Sequence, residues 1–89
     1  MFAQVIVDIA NSGVDRLFTY RAEDNIILGQ RALAPFGSGN KPIEGYVLGI
    51  SESYEGNIAL KSIIRPLEPY SVLTHEQIRL AYWIKQSYN

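Results

Sequence analysis

The feature that most constrains this chain is a change of hydrophobic period. From Phe2 to Leu67 apolar residues come in short alternating runs cut by turn signals, whereas from Leu73 onward they follow helical spacing. In Phe2–Ala10, Ala3, Val5, Val7 and Ile9 share one face and Gln4 and Asp8 the other, the signature of a half-buried strand. Asn11-Ser12-Gly13 is a turn signal, Leu17–Arg21 reads as a second strand, and Glu23-Asp24-Asn25 breaks it. Ile26–Gln30 leads into a short strand over Arg31–Pro35, and Phe36–Pro42, with two glycines and a proline, is the strongest loop signal in the chain. Ile43–Ser51 is the next strand, its Gly45 and Gly49 pointing to bulges or close backbone approach. After the turn at Glu55-Gly56-Asn57, Leu60–Leu67 is expected to be the last strand, with Pro66 confining its end to a sheet edge.

Leu73-Thr74-His75-Glu76-Gln77-Ile78 opens a helix. Thr74 and Gln77 form a capping box, and Leu73 can staple onto Ile78. Ile78, Ala81 and Tyr82 fall on one stripe with Leu80, Trp83 and Ile84 beside it, an arc wide enough to pack on more than one neighbour. These signals predict a mainly β fold: a small OB-like barrel of five to six strands over residues 1–70, with a C-terminal helix over 71–89. An apolar helix running into Asn89 without a stop suggests the N-terminal piece of a longer protein.

Composition narrows the chemistry. Eighty-nine residues make one domain at most. The absence of cysteine removes disulfides, thiolate metal sites and a thiol nucleophile, and a single histidine removes multi-histidine metal sites. The longest apolar run, Leu80–Ile84, is too short to span a bilayer, and the N-terminus lacks the features of a secretory signal, so a cytoplasmic protein is expected. A net charge of −1 argues against broad phosphate neutralisation. His75 at the first turn of the helix reads as an exposed residue, Glu23-Asp24 as a solvated turn, and Gly37-Ser38-Gly39 lacks the following helix of a phosphate cradle. The chain itself is therefore not expected to be an enzyme. Its ten aromatic residues are core or partner-facing, and Phe18 and Tyr20 alternate with Leu17, Thr19 and Arg21, so one face of that strand must be covered or offered to a ligand.

Several short strings together resemble the 3′-end DNA-binding domain of the bacterial primosomal replication-restart helicases, the PriA family. They are the opening Val5–Ala10, Asp15-Arg16-Leu17-Phe18-Thr19-Tyr20, Gly29-Gln30-Arg31 followed by Ala34-Pro35-Phe36-Gly37, Gly45-Tyr46-Val47, Leu60-Lys61-Ser62-Ile63, and the helix from Leu73-Thr74 through Trp83-Ile84 to Tyr88. The resemblance implies a module that grips the 3′-terminal nucleotide of the nascent leading strand at an arrested fork. By this likeness Phe18 matches the pocket-wall aromatic, Gly37 the loop glycine closing on the nucleotide, and Lys61 the pocket lysine. Thr19 stands where the family has an acidic residue after the Phe; its hydroxyl can donate or accept. The resemblance further implies that ATP with magnesium, and zinc, belong to a longer helicase and not to this fragment. Implied partners are DNA with a 3′-hydroxyl end, the rest of the helicase chain, other primosome proteins and single-stranded DNA-binding protein. Read without the resemblance, Gly37 serves a tight turn, Lys61 is a solvated strand residue and Phe18 is core. The rival functions are a protein-interaction barrel recruiting partners through a sheet edge, and a domain that braces a helicase core.

Overall fold

Ala3, Val5 and Val7 are fully buried and Gln4 and Ile6 between them are not, so the alternation of the first strand becomes an inner and an outer face. A computed structural model describes residues 1–8, 15–56 and 59–87. It contains β1 (Phe2–Asp8), β2 (Asp15–Arg21), β3 (Arg31–Phe36), β4 (Lys41–Ser51), β5 (Arg65–Pro66) and α1 (His75–Ser87). The five strands form one sheet in the order β2-β1-β4-β3-β5, with every neighbouring pair antiparallel. The fold is thus mainly β with a C-terminal helix. The expected turn at residues 11–13 and the end of the first strand at Ile9 and Ala10 lie outside the described residues.

The inner face is built from small and branched residues: Ala3, Val5, Val7, Tyr20, Ile26, Ala32, Ala34 and Val47 form the core, with Phe18, Ala22, Phe36, Ile43 and Ile63 packed against it. Gly45 lies between Val7 of β1 and Ala32 of β3 in the ladder. A Cβ there would fall 2.6 Å from Val5 Cγ1 and 2.7 Å from the Ile6 carbonyl oxygen, so only glycine lets the curving strands close on each other. The bulge expected from the β4 glycines sits beside Gly49. Gln4 pairs with Gly49 and Val5 with Val47, leaving Leu48 as the extra residue.

Two sequence expectations are corrected. The loop expected over Phe36–Pro42 is a four-residue hairpin, because Phe36 pairs with Lys41 and Pro35 with Pro42. The turn is tightened by Asn40 N–H donating to the Gly37 carbonyl at 3.1 Å. The last strand is not one element over Leu60–Leu67. Its segment changes partner: Ser62 bridges Arg21 of β2 in parallel, then Arg65–Pro66 pairs antiparallel with β3. The physical reason is parity. In the antiparallel order β2-β1-β4-β3 the two outer strands run in opposite directions, so a segment touching both meets one in parallel and the other antiparallel.

Gln30 is fully buried. Its Oε1 accepts from Ile27 N–H at 3.0 Å, its Nε2 donates to the Glu68 carbonyl at 2.7 Å, and its own carbonyl accepts from Val47 N–H at 2.9 Å. The helix start is anchored beside it, with Val72 and Leu73 N–H both donating to the Gly29 carbonyl. The capping box forms as expected: Gln77 N–H donates to Thr74 Oγ1 at 3.1 Å and Thr74 N–H to Gln77 Oε1 at 2.8 Å. Ile78 is buried and α1 packs on β4, but Leu80, placed beside the apolar stripe by periodicity, is 57% exposed. The side chains of Tyr82, Trp83, Ile84 and Tyr88 lie outside the described residues.

Candidate functional site

β2 is an edge strand, and its far end meets the segment leading into β5. Arg21 N–H donates to the Lys61 carbonyl at 2.8 Å, and Ile63 N–H donates to the Arg21 carbonyl at 3.0 Å. Just before this junction the two segments diverge and leave a cleft of about 210 Å³ lined by Phe18, Thr19, Tyr20, Pro35, Phe36, Gly37, Ala59, Leu60 and Lys61. All four residues singled out from the sequence, Phe18, Thr19, Gly37 and Lys61, border this one cleft.

Its floor is aromatic. Phe18 and Phe36 meet edge to face with ring centroids 5.3 Å apart. Tyr20 fixes that corner, its hydroxyl donating to the Pro35 carbonyl at 3.1 Å, and burial pushes its pKa up. The rim is polar. Gly37 has φ +76°, a left-handed conformation that suits glycine, and this aims its carbonyl at Lys61 Nζ, which donates to it at 2.7 Å. An ammonium has three donors, so the exposed Lys61 keeps two for a ligand.

Thr19 contributes differently from its neighbour. Phe18 pairs with Val5 and Tyr20 with Ala3, both on the inner face, whereas Thr19 pairs with Gln4 on the outer face. The Thr19 side chain therefore stands on the outer lip of the cleft. Its backbone is another matter. Arg21 directs its N–H and C=O to the free side of β2, and backbone groups two residues apart on a strand point the same way. Thr19 N–H and C=O consequently face the cleft side, where among the described residues they have no backbone partner.

Sequence reasoning did not include Phe36, Pro35 and Tyr20 in the site. The signal was the Pro35-Phe36-Gly37 string, which places an aromatic beside the loop glycine. It also gave no role to Arg31, whose guanidinium pairs with Glu68 through two hydrogen bonds at 3.0 and 2.5 Å and with Glu44 at 2.8 Å. The pairing with Glu68 raises the Arg31 pKa and lowers that of Glu68. Arg31 is thus engaged on the outer face, away from the cleft. His75 is exposed. Among the described residues no three His, Asp or Glu side chains converge as metal ligands, and no helix is long and apolar enough to cross a membrane.

Fold and cleft together define a small antiparallel β domain with an aromatic-floored, lysine-rimmed cleft. The chain belongs to the family of the PriA 3′ DNA-binding domain (3′BD), which it matches over residues 4–89. It is 33% identical over 88 residues to the Replication restart protein PriA of Bacillus subtilis (strain 168), an alignment covering 93% of this chain and 11% of that protein. No solved structure matches it.

Proposed function

We propose that this domain captures the 3′-terminal nucleotide of a DNA strand, with its free hydroxyl, and so places a replication-restart helicase on forks that carry such an end. The observation that carries the reading is the convergence of Phe18, Thr19, Gly37 and Lys61 on one cleft. At about 210 Å³ it is smaller than the usual range for drug-sized ligands, which suits one planar group rather than a run of bases. The aromatic floor offers stacking, worth about 1–3 kcal/mol per base. The Lys61 ammonium supplies donors to a terminal hydroxyl, itself both donor and acceptor, and the Gly37 carbonyl becomes an acceptor for it when Lys61 Nζ turns from that carbonyl to the ligand. On this reading ATP, magnesium and zinc belong to the rest of the helicase, and the domain acts without a cofactor. The test is a titration with short single strands ending in a 3′-hydroxyl against the same strands ending in a 3′-phosphate. Equal affinity for the two ends overturns the reading.

The geometry of β2 also makes a prediction about how bases are met. A backbone N–H and C=O are the same whatever residue occupies position 19, so contact through them serves the four bases without a carboxylate. Thr19→Val keeps the backbone and the β-branched shape, and is expected to change 3′-end affinity by less than about twofold, well below the value of a full hydrogen bond. Thr19→Pro removes the N–H on the free side of an edge strand, where proline is tolerated, and is expected to weaken binding about tenfold. Affinities for four oligonucleotides differing only in the terminal base decide it. A larger loss with valine than with proline would assign the contact to the hydroxyl.

A further inference from the structure

The Arg21–Ser62 bridge closes the cleft at one end. Beyond it the same two chain segments, β2 continuing to Ala22 and the 62–66 stretch, border a second groove of about 420 Å³ whose charged lining residues are Arg21, Glu23 and Arg65. The two hollows thus lie end to end, residues 18–20 and 59–61 lining the first and 21–23 and 62–66 the second. Arg21 and Arg65 are exposed, and among the described residues no carboxylate lies within ion-pair distance of either or of Lys61. Arg31, by contrast, is neutralised by Glu44 and Glu68. Lys61 and Arg65 are four residues apart, so at most about 14 Å of extended chain separates their Cα atoms.

We propose that this groove holds the phosphodiester backbone of single-stranded DNA further 5′, beyond the phosphate that joins the captured nucleotide to its neighbour, with Arg21 and Arg65 as the phosphate contacts. The proposal rests on the end-capture reading and extends it from a terminal nucleotide to an end with a tail. Unpaired guanidiniums suit the site because their planar fork matches phosphate oxygens and their weak hydration lowers the cost of contact. Glu23 faces the same groove and opposes a phosphate, so it limits affinity there.

The test measures, by fluorescence anisotropy at several salt concentrations, binding of the 89-residue chain to a dinucleotide and a hexanucleotide, each with a 3′-hydroxyl. The hexanucleotide is expected to bind more tightly, with a log K against log salt slope steeper by about 1.4, or about 0.7 for each of two phosphates. The Arg21→Gln/Arg65→Gln variant is expected to bring the hexanucleotide to the slope and affinity of the dinucleotide while leaving the dinucleotide unchanged. Glu23→Gln is expected to tighten the hexanucleotide alone. Equal slopes for both lengths in the unmodified chain, or a hexanucleotide indifferent to loss of the arginines, overturn the proposal. Loss of dinucleotide binding in the arginine variant also overturns it, because it assigns those residues to the terminal cleft or to the fold. A hexanucleotide that binds equally with a 3′-hydroxyl or a 3′-phosphate, yet still depends on the arginines, refutes end capture and leaves the groove as a strand-binding site.

Discussion

Replacing Gln30 with leucine is expected to destabilise the domain by about 2–5 kcal/mol. Leucine fills a similar volume, so the loss is of hydrogen bonds more than of packing. It leaves the Ile27 N–H and the Glu68 carbonyl without the partners that Gln30 supplies at 3.0 and 2.7 Å. Both bonds are partly buried, and a backbone group left unpaired in such a site costs up to about 1–3 kcal/mol. A chain of this length has a total stability of roughly 4–13 kcal/mol, so the variant loses a large share of it. The measurement is thermal or urea unfolding, with a drop in Tm of more than about 10 °C expected. A drop of less than about 3 °C would show that water reaches and satisfies both groups. The consequence for function follows from position. Gln30 opens the stretch that continues as β3 to Phe36 and Gly37, and it ties that stretch to the chain entering α1.

A 3′-phosphate in place of the 3′-hydroxyl is expected to weaken binding by about 1–3 kcal/mol, roughly five- to 150-fold. Two effects oppose each other. Lys61 attracts the added charge, but its ammonium is exposed, and at 4 Å in a water-like medium that attraction is worth only about 1 kcal/mol. Against it stand the loss of the hydroxyl's donor to the Gly37 carbonyl and the partial desolvation of a bulky anion in the cleft beside Gly37. The second effect wins because hydrogen bonding in a recessed site is lost outright while the attraction is screened. Lys61→Met is expected to lower affinity for the hydroxyl end about tenfold or more, since bonds to charged groups are worth about 1.5–3 kcal/mol. Isothermal titration with hydroxyl and phosphate ends, for the unmodified chain and Lys61→Met, reads both effects. Preference for the phosphate end would mean that charge attraction and not end shape governs the cleft.

Local chemistry alone determines much of this protein. The alternation of Ala3, Val5 and Val7 with Gln4 and Ile6 marks a strand and its buried face, because side chains on a strand alternate whatever the strand pairs with. The Thr74–Gln77 capping box forms between residues three apart, so it is legible before any tertiary contact exists. The likeness of Phe18, Gly37 and Lys61 to a known pocket was legible too, as residue types at matching places in short strings. What tertiary structure decided is how distant pieces meet. The segment after Leu60 had to cross from β2 to β3 before residues 18, 37 and 61 could share a cleft, and that crossing depends on hydrogen bonds from Arg21 to residues some forty positions away. The pairing of Thr19 with Gln4 set its hydroxyl on the outer lip and its backbone toward the cleft, a distinction invisible without the register. Gln30 reads as an ordinary polar residue until Ile27 and Glu68 close on it. A hydrophobic period specifies which face of an element is buried, but not which element buries it, and the cleft forms where that second choice is settled.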